Sequence, residues 1–551
     1  MKRVKDPVYG YIDIHEDIMR NIIDCPEFQR LRGVVQTSYS VLYPSTLHNR
    51  FVHSLGVFFL GCKAMKVLLS ESDVSTGNML EKYRETFELA CLLHDVGHAP
   101  FSHTGEIYFL KEDSRDDFHE KICVLSDDSV LKEEIRYNGY KAAPHELMSA
   151  IIGLEVFGSN IRDDQKGFFV RCITGYKYTK GQLTYEQQLQ NCLVELLNSR
   201  IIDVDKIDYL IRDSYMSGFE APAVDYDRLI LQMRIEKDAK DDTYKVIFTK
   251  NGLSVVENVV FAHDLERKWI QNHPTVLYDT YLLKRALEDF REKFFVEENC
   301  LPYQMLSEKG VKRKDTGDMI RLASDSDIVY LMKNIDRCDV VSEYYDRRKR
   351  KHPLWKSEEE FRAIFSGQKD MQGYLNILDE MFSGIEKSQR REGIVINQEA
   401  LINMESDIKL AEDNLKSLTE RLGVGVGPTI ELKKAQLRLI KIFEEFAQDV
   451  NIDFDFLILY ADEFSSGFEK PEFGGMLFKL PSVKGYHRFD DISNLLKQNE
   501  SEREKYFFIY CKKDACGETP SFSILIKKLI EFAGEININR QSNVIGNRVS
   551  S

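Results

Sequence analysis

The chain has 551 residues and 64.1 kDa, room for one large domain with appendages or for two to three ordinary ones. Hydrophobic residues make up 43% and charged residues 30%, a globular balance that argues against disorder, and a formal net charge of −15 argues against broad binding to nucleic acid or to an anionic membrane. The first seventeen residues hold no apolar core of signal-peptide length, no stretch approaches the roughly 20 apolar residues needed to span a bilayer, and the ten cysteines form no CxxC pair, so reduced thiols in a cytoplasmic protein are expected.

From about residue 12 to 300 the apolar spacing is mostly helical. Phe87, Ala90, Cys91 and His94 fall at steps of three and four, as on one face of an amphipathic helix. Residues 256–295 read the same way, interrupted near Pro274, and Thr243–Lys250 reads as a short strand running into the Asn251–Gly252 turn. Residues 310–318 and 345–358 are charged, poorly periodic and expected as loops; the basic run Arg347–Lys351 within the second reads as a solvated loop. Leu401, Met404, Ile408, Ala411, Leu415, Leu418 and Leu422 form a heptad stripe, which fits packing within its own domain better than an intermolecular coiled coil. The glycine-rich 423–428 reads as a linker. Beyond it, 452–460, 476–480 and 506–511 read as strands and 430–447 and 522–534 as helices. The fold class expected is mainly α, with a helical core over 1–300, a helical extension and linker over 301–425, and a smaller α+β C-terminal region over 426–551.

Eight of the twelve histidines (15, 48, 53, 94, 98, 103, 119 and 145) lie before residue 150, more than proportional placement would put there. Three of them share the block His94-Asp-Val-Gly-His98-Ala-Pro-Phe-Ser-His103, at the end of one expected helix and in the turn that Gly97 and Pro100 favour. Neighbouring imidazoles and carboxylates suit a hydrated metal site better than an apolar core. His94 and Asp95 are adjacent, so an ion near the helix end could take a nitrogen and an oxygen from successive residues; two further ligands must come from elsewhere.

Arg50-Phe-Val-His53, His94-Asp95 and Asp203-Val-Asp205-Lys206-Ile-Asp208-Tyr209 together resemble an HD-domain phosphohydrolase, whose signature is a His, a His-Asp pair and a distant Asp. Asp6-Pro-Val-Tyr-Gly10, Phe28-Gln-Arg-Leu-Arg32, Tyr43-Pro44, His48-Asn-Arg50 and the 94–103 block narrow the resemblance to the deoxynucleoside triphosphate triphosphohydrolases, including the SAM- and HD-domain type, over roughly residues 1–290 and without a SAM domain. The resemblance implies an all-helical HD-domain catalytic core. It assigns His53, His94, Asp95 and Asp205 to a divalent transition metal (iron, manganese or zinc), with Mg on the nucleotide phosphates. Arg50 and Lys206 match phosphate-binding positions. His98, His103 and His145 match catalytic positions near the α-phosphate and the leaving 5′ oxygen, and Glu106 stands where the family places an acidic partner, usually aspartate. Tyr209 matches a ring beneath the deoxyribose, and Asp213 and Gln36 match groups that hold the 3′ hydroxyl. Ile270 stands where mammalian-type members carry a base-stacking tyrosine, so base preference does not carry over. Asp24, Gln29 and Arg32 match an activator-binding position, where the alternative is a helix cap with structural ion pairs.

The activity implied is cleavage of a dNTP to deoxynucleoside and tripolyphosphate by a homo-oligomer (dimer or tetramer) that a nucleotide activates. The rival readings are an HD-type phosphodiesterase of another nucleotide or nucleotide signal, and a nucleotide-sensing module with a vestigial site.

Overall fold

The computed structural model describes residues 1–549 except 110–113, 138–141, 295–301, 314–315, 335–338, 366–370, 386–392, 423–427, 462–466, 468–470, 494–505 and 515–516. The protein is mainly α, with small sheets. It divides into two compact units. The first comprises Met1–Gln271, Leu283–Val341 and Ser465–Glu500, and the second Asn272–Leu282, Ser342–Phe464 and Ser501–Ser551. Neither is a contiguous stretch, so the units do not follow the sequence boundaries at 300 and 425. Long-range strand pairing, which periodicity does not report, is one reason.

In the first unit the central element is the helix Arg50–Glu71. Asn49 starts it, its side chain accepting from Val52 N at 3.3 Å, which satisfies one of the amides a helix N-terminus leaves open. Phe51, Leu55, Phe58, Leu60, Met65 and Leu68 are buried, together with His53 and Arg50. Among the described residues this helix is the one long and apolar enough to cross a membrane, and most of it is buried in the protein, as befits a core helix. It corrects the expectation that no stretch approaches such a length; Arg50, His53, Lys63 and Lys66 interrupt the apolar run without making it too polar on average. Asp73 caps the following helix, Val74–Leu93, accepting from Ser75 N at 2.9 Å and Thr76 N at 3.0 Å. That helix ends at His94, so its last turn delivers the His-Asp pair.

Two glycines set the spacing around the site. A Cβ added at Gly56 would lie 1.9 Å from Asp208 Oδ1, and one added at Gly97 would lie 2.2 Å from Ser149 N. The absent side chains allow the helices Val204–Ser217 and Pro144–Phe157 to approach the site.

Thr243–Thr249 is a strand, as expected, but it belongs to a four-stranded sheet with Met233–Asp238 on one side and Leu477–Lys479 on the other, followed by Tyr486–Arg488. Leu477 pairs with Ile247 in parallel, so a strand expected in the C-terminal region belongs to the first unit. The hairpin Lys2–Asp6 with Gly10–Ile14 escaped the sequence reading because charges or glycine occupy most of its alternate positions.

The second unit has its own sheet, ordered His352–Pro353, Phe507–Cys511, Asp455–Tyr460, Ile394–Asn397. Trp355 is fully buried against Phe361, Phe365 and Phe507 and donates Nε1–H to Phe507 O at 2.9 Å. Residues 345–358 are therefore anchored rather than a free loop, and Arg350 and Lys351 of the basic run pair with Asp279 and Asp455 at 2.6 and 2.9 Å. Likewise 310–318, expected as a loop, begins in a hairpin of Val311–Lys312 with Met319–Ile320. The heptad stripe lies on the helix Gln398–Leu422, where Leu401, Met404 and Ile408 are buried. Lys433 and Lys441 of the helix Pro428–Asp449 pair with its Asp407 and Glu405, so the described part of the stripe, Leu401 to Ile408, packs within its own unit. The expected linker at 423–427 lies outside the described residues.

Candidate active site

Three helix ends converge in the first unit. His53 stands in the first turn of Arg50–Glu71, His94 closes Val74–Leu93, and Asp205 stands in the first turn of Val204–Ser217, where the helix dipole favours a carboxylate. His53 Nε2 lies 3.3 Å from His94 Nε2, 3.0 Å from Asp205 Oδ1 and 3.5 Å from Asp95 Oδ2. His94 Nε2 lies 3.4 Å from Asp95 Oδ1 and 3.7 Å from Asp205 Oδ1. Donors that surround one ion at about 2.1 Å stand roughly 3.0–3.5 Å from each other. His53, His94 and Asp95 stand close enough together to share one ion, and Asp205 Oδ1 approaches both imidazoles, so the residues fit a divalent metal.

The ring orientations agree. His53 Nδ1 faces Asp208 Oδ2 at 2.7 Å, and His94 Nδ1 donates to Cys91 O at 2.9 Å. Each ring thus donates from Nδ1 and turns its Nε2 to the site, as an outer carboxylate or carbonyl arranges around metal-binding histidines. Asp208 is gripped in turn by Arg212 Nε and Nη2, both at 2.9 Å, and Arg212 Nη1 reaches Asp6 Oδ2 at 2.9 Å. Burial alone would lower the His53 pKa, yet Asp205 and Asp208 push it up to about 10. Burial would raise Asp95 and Asp205, but Arg50 for the first and His53 for the second hold them well below the usual carboxylate range. A divalent ion answers the same negative field.

Beside these donors lies a second group. His98 Nδ1, His103 Nδ1 and His145 Nδ1 converge on Glu106 Oε1 at 3.2, 3.0 and 2.9 Å. His98 and His145 stack with ring centroids 4.1 Å apart, and His98 Nε2 stands 3.1 Å from Asp95 Oδ1, linking the two groups. His98 is fully buried and its nitrogens make no aligned hydrogen bond, whereas His103 is exposed. Burial would lower His145, but the Glu106 charge raises it to about 9; burial and the Arg50 charge push His98 well down. Similar rings in one cluster are thus driven to opposite protonation states, as acid–base work requires.

Arg50 is buried and fully engaged, donating from Nη1 to Asp95 Oδ2 at 2.7 Å, from Nε to Ser102 Oγ at 3.0 Å and from Nη2 to Gln36 O at 3.2 Å. Lys206 Nζ donates to Ser199 O at 2.7 Å and Asp203 Oδ2 at 2.6 Å. Asp213 Oδ1 is 2.7 Å from His48 Nε2, and the buried Gln36 Oε1 has no partner. Sequence reasoning gave no role to Asp208, Arg212, His48 or Glu266. Glu266 is buried, accepts from Tyr39 Oη at 3.3 Å and Gln271 Nε2 at 3.2 Å, and is raised well above the usual carboxylate range by burial and by Asp213. The polar run Asp203-Val-Asp-Lys-Ile-Asp208 on a buried helix was a signal for the first of these; Glu266 carries none. Asp24, Gln29 and Arg32 belong to a separate stretch. There Gln29 Nε2 donates to Ile23 O at 2.6 Å, Arg32 Nε donates to Gln29 Oε1 at 2.8 Å, and the Arg32 guanidinium lies 3.6 Å from the Phe51 ring centroid.

Residues 50–152 match the family profile described as HD domain. This segment is an HD domain. The HD domain supplies His53, His94 and Asp95, while Asp205 comes from beyond the matched residues. The chain is similar to the deoxynucleoside triphosphate triphosphohydrolase SAMHD1 of Gallus gallus, at 34% identity over 244 residues, 43% of this chain and 37% of that protein. It is also similar to an uncharacterized protein of Methanocaldococcus jannaschii, at 26% identity over 61% of this chain and 58% of that one. A third relative, an uncharacterized protein of Mycoplasma genitalium, is 30% identical over 47% of this chain and 53% of its own length. The chain thus spans between about a third and three-fifths of these relatives. A crystal structure of a hypothetical protein from Aquifex aeolicus shares the fold, with a TM-score of 0.52 at 19% identity, covering 93% of this chain and 96% of that one.

Proposed function

We propose that the protein is a metal-dependent deoxynucleoside triphosphate triphosphohydrolase, cleaving dNTP to deoxynucleoside and tripolyphosphate. The observation that carries this reading is the pairing of the His53, His94 and Asp95 group, able to hold a cation, with a carboxylate-centred histidine cluster, 3.1 Å apart at Asp95 and His98. The similarity to the Gallus gallus triphosphohydrolase supports the substrate class.

His53, His94, Asp95 and Asp205 would hold the ion, which when bound supplies Lewis-acid polarisation of a phosphoryl oxygen. Lys206, kept charged by Asp203 despite burial, meets the phosphates, and Arg50 adds a second positive charge beside Asp95. Protonated His145, held so by Glu106, is placed to give a proton to the departing 5′ oxygen, with His103 and His98 completing the relay. Asp213 and Gln36 bind the 3′ hydroxyl, for which the unpartnered Gln36 Oε1 is a ready acceptor. A panel of dNTPs and NTPs, assayed for hydrolysis with each of iron, manganese and zinc, tests the reading; activity confined to cyclic or oligonucleotide substrates would favour a phosphodiesterase.

Tyr209 stands one turn after Asp205, half-buried and within the electrostatic reach of Asp205, Asp213 and Glu266. Its ring lies under the sugar and leaves no space for a 2′ hydroxyl. Tyr209→Ala should therefore narrow the dNTP-over-NTP preference in kcat/KM by about tenfold or more, since a hydroxyl forced against a ring has no low-energy position. Equal rates on both sugars in the unaltered protein would remove this role.

Asp24, Gln29 and Arg32 form the proposed activator contact, with a nucleotide bridging subunits of a homo-oligomer. Arg32→Ala should lose nucleotide-driven assembly, read by light scattering, while keeping its metal. Unchanged assembly in that variant would return the three residues to a structural role.

A further inference from the structure

The turn between His98 and His103 carries two consecutive non-glycine residues at positive φ, Phe101 at 62° and Ser102 at 52°. Residues with a Cβ adopt that region reluctantly, so the surroundings must hold the turn in place. The helix Asp325–Lys333, far beyond the HD domain in sequence, provides the hold. Asp325 Oδ1 accepts from Phe101 N at 2.7 Å, and Asp325 Oδ2 accepts from Val35 N at 3.0 Å. One carboxylate thus ties the turn that leads into His103 to the segment that leads into Gln36. Ser102 Oγ closes the loop of bonds, donating to Val35 O and accepting from Arg50 Nε.

The carboxylate is itself fixed. Arg30 Nη1 donates to Ala323 O at 3.0 Å and Nη2 to Val96 O at 2.9 Å, joining the residues before Asp325 to the His94–His98 turn. Ser324 caps the helix with Asp327, Ser324 N reaching Asp327 Oδ2 at 2.8 Å. A Cβ added at Gly33 would lie 2.8 Å from Ser324 Cβ, so only glycine admits this approach.

We propose that Asp325 is a positioning residue for the hydrolysis inferred above, clamping the Phe101–Ser102 turn so that His98, His103 and Glu106 hold their arrangement. The role rests on that functional reading, and the clamp can be observed independently of it. Accepting from two backbone amides on two oxygens requires the ionised form, because a protonated carboxyl turns one oxygen into a donor facing an N–H. Burial pushes the Asp325 pKa up to about 6, against the two amides, Arg30 and Arg50. The packed elements also carry Glu27, which acts on Arg30, Asp327, engaged by Ser324, and the titratable or charged groups Arg32, Arg321, Lys333, His98 and His103. The clamp is therefore complete above pH 6 and loosens as pH falls through it.

Asp325→Asn tests this, because an amide offers one acceptor where two are needed. Hydrogen exchange by mass spectrometry should show the segments containing Val35 and Phe101 protected above pH 6 in the unaltered protein and deprotected at every pH in the variant. The acid limb of kcat/KM near pH 6 should vanish in the variant, with the plateau about tenfold lower or more, as misplacement of reacting groups implies. Gly33→Ala, which retains the carboxylate but crowds Ser324, should also lose protection at Phe101. Unchanged protection in both variants, or an unchanged acid limb in Asp325→Asn, overturns the proposal. Loss of protection in a protein that hydrolyses no nucleotide would instead overturn the functional reading and leave the clamp standing.

Discussion

Asp205→Ala should strip the protein of bound metal and of turnover while leaving its helical content unchanged. Asp205 is one of four donors, and its contacts are the two imidazoles of the same set. Its side chain is 35% exposed, so little packing is lost with it. Asp95→Ala should lose the metal as well, but with a second consequence. Arg50 is 4% exposed and has Asp95 as its carboxylate partner, so removal leaves a buried guanidinium uncompensated, a change that costs about 3–5 kcal/mol. Elemental analysis, circular dichroism and urea unfolding separate the two variants. Full metal occupancy in Asp205→Ala would refute the ligand assignment, and equal stability of the two variants would refute the role given to Arg50.

Glu106→Gln should lower kcat by about 10²–10⁴-fold, the range of a general acid–base group, without loss of metal. Three imidazoles meet on one Glu106 oxygen, and a neutral amide removes the charge that holds His145 protonated. The sign follows from the raised His145 pKa. A histidine held at about 9 in the fold and near 6.5 when unfolded contributes its stabilisation fully below 6.5 and loses it as pH rises through 9. Activity that needs the protonated ring falls over the same upper limb. In Glu106→Gln the largest charge opposing burial is gone, with Glu146 and Asp95 still raising the ring, so the limb should move down from pH 9. An alkaline limb that stays near pH 9 in the variant would take His145 out of the proton-donating role.

Of the candidate metal-binding residues, the adjacent His94-Asp95 pair was legible from ligand chemistry, and His53 and Asp205 only from the family resemblance. They follow the order of the family's signature, and the two imidazoles stand 3.0–3.7 Å from the two carboxylates. Of the convergence on Glu106 the resemblance gave only an acidic partner for His103; that His98 and His145 meet the same oxygen is a finding of the structure. What holds these groups was not legible. Asp325 lies 224 residues from Phe101, in a polar stretch that looks like any helix cap. Glu266 is an ordinary acidic residue in sequence, and burial beside Asp213 alone gives it its raised pKa. The strand Leu477–Lys479 was recognised as a strand, but its parallel partner Thr243–Thr249 is over 200 residues away, and pairing of that range leaves no periodic trace. The loops expected at 310–318 and 345–358 are irregular over most of their described residues, but two anchors within or beside them went unseen. Charge and poor periodicity hid a hairpin in the first and a buried Trp355 in the second.

The most direct measurement is the identity of the phosphate product. Metal-loaded protein incubated with a dNTP, including any nucleotide activator, should release one tripolyphosphate for each deoxynucleoside, seen by phosphorus NMR and chromatography. Release of pyrophosphate or orthophosphate with a nucleotide product, or cleavage of cyclic or oligonucleotides in place of dNTPs, would contradict the account.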